Sequence, residues 1–106
     1  MVKEQVSGII SQYIQELEKK ITVTKVILYG SFAYGQPHAG SDIDLVVISP
    51  EFAKMKPLER LEFLSLATRF NRAPIEAIGY TPEEFSTAKN YIFLDYIVQN
   101  GKAVYG

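Results

Sequence analysis

The sequence predicts an α/β (α+β) chain, a small mixed β-sheet with flanking helices in the order α-β-(turn)-β-α-β-α-α. Three observations carry this. An apolar stripe at helical spacing opens the chain. Two β-branched apolar runs then flank a small-residue, turn-rich middle, ILYGSFAYGQPHAGSDIDLVVI at 27–48. After them come two helix starts of the Ser-Pro and Thr-Pro type, with a third short apolar run between.

Each element follows from local chemistry. Val6, Ile9, Ile10, Tyr13, Ile14 and Leu17 form one stripe and predict a helix over 3–20, closed by Lys19 and Lys20. Residues 22–29 are β-branched and predict a strand ending at Gly30. Residues 31–35 suit one or two helical turns, and 36–41 are loop by composition. Residues 42–48 predict the second strand, whose Leu45–Ile48 run suits burial on both faces. Ser49 and Pro50 then start a short turn of helix.

The spacing predicts a helix over 57–71. Phe63, Leu66, Ala67 and Phe70 share one side, and Leu58, Leu61 and Leu64 lie on another. A helix apolar on two sides is either sandwiched in the core or awaiting a protein partner or a second copy. Residues 74–80 predict the third strand, with Glu76 near its start. Thr81, Pro82 and Glu84 read as cap, first position and capping box of the next helix. Residues 90–99 predict a helix closed at Asn100-Gly101, and 102–105 a short terminal strand or extended tail.

Bulk composition excludes several classes. A chain of 106 residues with 47% apolar and 12% aromatic residues is expected to form one domain, 1–106, with a real core. A net charge of -1 gives no footprint for extended nucleic-acid binding. With no cysteine and one histidine, any metal site must use oxygen ligands, which points to magnesium or manganese. No signal peptide and no run near the roughly twenty apolar residues of a membrane span are present, so the expected location is the cytoplasm.

The chemistry concentrates in 30–44. Residues two apart in a strand point to one side, so Asp42 and Asp44 present both carboxylates on one face, about 7 Å apart along the chain. Like charges that close repel unless a cation sits between them. Gly30 lets a phosphate approach the backbone, and Ser31 opens a helical turn whose N–H groups and hydroxyl suit its oxygens. If the first two strands are antiparallel neighbours, Gly30 and Asp42 lie at one end of the sheet. The third strand brings Glu76 to a similar depth, as the third member of a carboxylate cluster.

These residues carry a resemblance. Gly30-Ser31, Gly35 and Ser41-Asp42-x-Asp44-Leu45, with Gly-Ser eleven residues ahead of Ser-Asp, resemble the GSxxxG…SDxDL signature of the DNA polymerase β-like nucleotidyltransferase superfamily. The layout is similar to its minimal single-domain nucleotidyltransferases, many of them the antitoxin partner of a HEPN-domain toxin. The resemblance implies that Gly30, Ser31 and Ser41 bind nucleotide, and that Asp42, Asp44 and Glu76 are both catalytic and metal-ligating. It implies two Mg2+ ions (Mn2+ in their place), ATP as substrate, and transfer of AMP to a hydroxyl, with a tyrosine on the partner toxin as leading acceptor in a type VII-like antitoxin. Two departures stand out. Tyr34 occupies a position where the family often has arginine, and Glu76 a position more often aspartate.

Plainer readings stand beside these. Asp42 and Asp44 can cap turns, and Glu76 can be a solvated edge-strand residue. Ser31 lacks a relay partner for nucleophilic work. His38 reads as a loop residue within reach of a phosphate. Arg60, Arg69, Arg72, Lys54 and Lys56 read as a solvated helix face, and Glu83 and Glu84 as helix-start residues. Phe32 and Tyr34 read as core plugs or as base- or partner-contacting rings. Two other functions remain open: a contact-only antitoxin with a weak active site, and a small-molecule nucleotidyltransferase.

Overall fold

The computed structural model describes residues 3–35, 42–68 and 74–106. Helix α1 (Lys3–Glu18) buries Val6, Ile10, Tyr13, Ile14 and Leu17, the predicted stripe. Strand β1 (Lys25–Tyr29) starts three residues later than the composition suggests. The preceding threonines are anchored outside the ladder: the Thr22 N–H donates to Glu51 Oε2 at 3.2 Å and the Thr24 hydroxyl to the Ile48 carbonyl at 3.1 Å.

A short helix α2 (Ser31–Tyr34) follows, then β2 (Ile43–Ile48). A 3-10 turn at Pro50–Lys54, capped by the Ser49 hydroxyl, leads to α3 (Pro57–Leu66) and β3 (Ile75–Tyr80). Helix α4 (Pro82–Ser86), a second 3-10 turn, α5 (Ile92–Asn100) and β4 (Lys102–Tyr105) complete the chain. The terminal residues are thus a strand and not a tail. They pair antiparallel with β1 and make the sheet four-stranded, in the order β3-β2-β1-β4.

Strands β1 and β2 are antiparallel, as the loop between them permits, while β2 and β3 are parallel. A parallel pair needs a crossover, and the first 3-10 turn with α3 supplies it. Alternation divides the sheet's side chains between two faces. Val26, Leu28, Ile43, Leu45 and Val47 pack with α1 and Leu64 of α3. Ile27, Val46 and Ile48 pack with Ala88 and with Leu94 and Ile97 of α5. This second face is covered at the Ile48 end. At the other end it carries Asp44, which is only partly buried.

Helix α3 differs from expectation in two ways. Its inward stripe is Arg60, Phe63, Leu64 and Ala67, which fall at i, i+3, i+4 and i+7, while Leu58, Leu61 and Leu66 face solvent. Leu64 and Leu66 therefore exchange the sides assigned from composition. Arg60, read as a solvated residue, is instead only 9% exposed. Its Nε donates to the Phe52 and Met55 carbonyls at 3.0 and 3.2 Å. Its Nη1 donates to the Gly79 carbonyl at 3.2 Å and to Glu84 Oε1 at 2.7 Å.

The reason is carbonyl supply. The end of the 3-10 turn and the outer edge of β3 present carbonyls with acceptor capacity to spare, the Phe52 carbonyl also accepting from the Met55 N–H at 3.1 Å, and a planar guanidinium can serve several at once. Glu84 likewise does more than start a helix. It closes the capping box with Thr81 and also accepts from Arg60. Burial pushes its carboxyl up, but the Thr81 N–H and Arg60 outweigh that and hold it below the usual range.

Arg60→Ala removes a donor from the Phe52, Met55 and Gly79 carbonyls and from Glu84, of which Phe52 keeps the Met55 N–H and Glu84 the Thr81 N–H. It is expected to lower unfolding free energy by about 2–4 kcal/mol, read as a shift in urea midpoint at constant slope. Arg60→Lys, which keeps charge but not the fork, should recover only part of that loss.

Candidate active site

The register of the sheet builds the site. Tyr29 on β1 is the direct cross-strand partner of Asp44 on β2, and Asp44 is the parallel partner of Glu76 on β3. Partners at one register point to the same face. The three side chains thus form a row across the open end of the second face, with strands about 4.8 Å apart. Glu76 is exposed and Asp44 partly buried, since β3 is an edge and β2 is central. Asp42 precedes β2 and is also partly buried.

Burial pushes the Asp44 carboxyl above its ordinary value. The neighbouring charges of Glu76 and Asp42 push it further, and a hydrogen bond with Glu76 adds to the rise. Neither of the two ion pairs found among the described residues, Lys19–Glu16 and Arg60–Glu84, reaches this group. The site therefore collects carboxylates without a described basic partner.

Gly30 is shaped by the same spot. Its φ is 76°, a left-handed conformation that side chains rarely adopt. A Cβ built on it would collide with Asp44 Oδ2. With no side chain there, the Asp44 carboxyl packs directly against Gly30, where α2 begins. Ser31 is partly exposed there, at the start of α2, in a turn closed by the Ala33 N–H donating to the Gly30 carbonyl at 3.0 Å.

The sequence-predicted residues are thus brought together as follows. Gly30, Ser31, Asp44 and Glu76 meet at one end of the sheet. Asp42 acts on Asp44 through its charge. Among the described residues no three carboxylates converge as a ready-made metal cage. Asp44 and Glu76 share one register on neighbouring strands, and Asp42 stands at the mouth of β2. Ser41, His38, Arg69 and Arg72 lie outside the described residues, as does the side chain of Tyr34. Phe32 packs against the core of the first face, which favours the core-plug reading.

A divalent ion fits this donor set. The oxygens are hard carboxylate ligands, and the raised Asp44 carboxyl records a charge deficit that a cation would relieve. Sequence reasoning did not single out two aromatic residues at the site. Tyr29 stands next to Asp44 in the row, and Phe93, from the first turn of α5, packs on it with ring centroids 5.7 Å apart and planes at 85°. Tyr29 could have been flagged by its place directly before Gly30. Nothing in the local sequence around Phe93 indicates its approach. A groove of about 370 Å3 opens beside Glu76, lined by Tyr29, Leu61, Ser65, Ile75, Ala77 and Ile78.

No curated protein sequence matches the chain. Among solved structures, it is similar to a candidate nucleotidyltransferase from Sulfolobus solfataricus, with TM-score 0.55 and 20% identity over 79% of this chain and 70% of that one. It is also similar to a chain of a toxin-antitoxin structure containing AMP-PNP, with TM-score 0.67 and 21% identity over 94% of this chain and 73% of that one. At these identities the likeness is one of fold. No helix among the described residues is long and apolar enough to cross a membrane.

The pH dependence of stability follows from the raised Asp44 carboxyl. Its ionisation opposes folding, so the penalty is absent below the ordinary value of 3.8 and grows as pH rises through and beyond it. In chelator-treated protein, Asp44→Asn should therefore be more stable than wild type at pH 7. The difference should shrink toward zero as pH falls to the ordinary carboxylate range, as measured by urea melts at each pH.

The family model of the nucleotidyltransferase domain matches residues 10–102, and with that match covering nearly all of a chain whose Gly-Ser turn and carboxylates share one sheet end, the protein belongs to the nucleotidyltransferase domain family and is a nucleotidyltransferase.

Proposed function

We propose that residues 1–106 form a single magnesium-dependent minimal nucleotidyltransferase domain that transfers AMP from ATP to a hydroxyl. The observation that carries this is the row Tyr29–Asp44–Glu76, with the Asp44 carboxyl seated against Gly30 at the start of α2. Of the two departures from the wider pattern, Glu76 aligns with Asp44 across the sheet.

Gly30 and Ser31, with Ser41, bind the triphosphate and orient its β- and γ-phosphates. Asp42, Asp44 and Glu76 would hold two Mg2+ or Mn2+ ions. When bound, such ions neutralise the developing pyrophosphate charge and lower the pKa of the attacking hydroxyl. The acceptor oxygen attacks the α-phosphorus, the bond to the bridging α–β oxygen breaks, and pyrophosphate leaves. Glu76, exposed at the groove, receives the acceptor's proton, while Asp44 stands beside it at the same register of the sheet.

The acceptor is read as a tyrosine on a HEPN-type toxin, with the chain as its cytoplasmic, type VII-like antitoxin. Support comes from the resemblance at 30–45 and from the fold shared with a toxin-antitoxin structure that contains AMP-PNP. The groove beside Glu76 has apolar walls and no described cation, which suits a protein side chain better than a polyanion. A second reading, neutralisation by contact or through self-association, is favoured by the exposed Leu58, Leu61 and Leu66 of α3.

Incubation with labelled ATP, Mg2+ and the product of the neighbouring gene tests the enzyme. Label should pass to that protein, and Asp44→Ala should reduce transfer by on the order of 10^3. Toxin neutralisation that survives Asp42→Ala/Asp44→Ala would leave the contact reading in place of catalysis.

A further inference from the structure

We propose that Phe93, braced by Tyr29, is the wall on which the base of the bound nucleoside triphosphate stacks. The inference rests on the nucleotidyl-transfer reading and deepens it: it adds a base-recognising element contributed by α5, far from the phosphate and carboxylate residues in sequence.

The row on the open face does not end at Tyr29. Phe93 of α5 packs on Tyr29, so two aromatic rings adjoin the pair of carboxylates. Gly30, where the triphosphate is read to lie, directly follows Tyr29 in the chain. A nucleotide with its phosphates at Gly30 and Asp44 carries its base one ribose away. On the Glu76 side that place is the acceptor groove, to which Tyr29 also contributes. Against Tyr29 stands Phe93, which does not line that groove.

Phe93 is poorly explained as a core residue. The inward face of α5 is filled by Leu94 and Ile97, which are fully buried. Phe93 stays 46% exposed, and the ring contact found for it is the perpendicular one with Tyr29. A perpendicular pair fixes the orientation of both rings while leaving ring surface open. An oriented, half-exposed ring beside a phosphate-binding turn provides what base stacking needs, and stacking tolerates any base because every base has a π-face. Purines, with the larger face, gain more.

Neighbouring residues sharpen the assignment. Phe32, the other ring close to Gly30 in sequence, packs into the opposite face of the sheet. Ile92 is 93% exposed in the same turn of α5 and packs in neither core cluster, so it serves as a control of equal hydrophobicity and position.

The test measures binding of ATP and of inorganic tripolyphosphate, each with Mg2+, by calorimetry on the full chain. Wild type should bind ATP more tightly than tripolyphosphate. Phe93→Ala should weaken ATP by on the order of 10- to 100-fold and leave tripolyphosphate unchanged. Phe93→Trp should keep ATP affinity, and its indole fluorescence should change with ATP and not with tripolyphosphate. Ile92→Ser should match wild type. Should Phe93→Ala fail to fold, Phe93→Leu keeps the bulk and removes the ring, and the same loss is expected. ATP binding by either folded variant at wild-type strength would overturn the proposal while leaving nucleotidyl transfer intact. Absence of both ATP and tripolyphosphate binding in wild type would overturn the two together.

Discussion

Asp44 and Glu76 stand side by side on adjacent parallel strands, one partly buried, with the charges of Glu76 and Asp42 raising the cost of ionising Asp44. Isolated from a cation, this arrangement opposes folding, since each ionised carboxylate raises the cost of the next. The rest of the molecule is arranged so that the sheet tolerates it. Strand β2 is central and buried from Leu45 to Ile48 on both faces, which anchors Asp44 from below. Gly30, at a φ of 76° that glycine adopts freely and other residues rarely do, lies against the same carboxyl. Such concentration of cost at one sheet end is characteristic of sites whose ligand supplies the missing compensation.

Strand β3 matters most here, because it is an edge and carries Glu76. Only its inner groups are held by β2. Its outer side is secured at Gly79 by Arg60, which also ties down the 3-10 turn before α3 and the start of α4. Gly79 itself cannot grow, since a Cβ there would lie 2.7 Å from the Phe52 ring. A buried guanidinium thus links the crossover to the strand it delivers. The register that sets Glu76 beside Asp44 depends on that link as well as on the ladder.

Much of this was legible in the sequence, and the part that was not has identifiable causes. The Gly-Ser turn, the carboxylates two residues apart and the capping box at Thr81 are local patterns, and local patterns survive without a structure. The partnership of Asp44 with Glu76 was legible only as a similar depth, because register across a crossover is set by packing. Arg60 was misread because charge suggests solvent, whereas its helical phase with Phe63, Leu64 and Ala67 pointed inward. The role of residues 102–105 depended on a free edge of β1 that no local signal reveals. Phe93 was invisible for the same reason: its neighbour, Tyr29, is distant in sequence.

The central claim is that the carboxylate row is incomplete without divalent metal and becomes a functional centre with it. A Mn2+ titration followed by electron paramagnetic resonance, with a non-hydrolysable ATP analogue present, measures this most directly. The account predicts saturation at two protein-dependent Mn2+ ions per chain in wild type and loss of at least one in Asp44→Asn. Mn2+ uptake no greater than that of the free analogue, with wild type and variant alike, would contradict it.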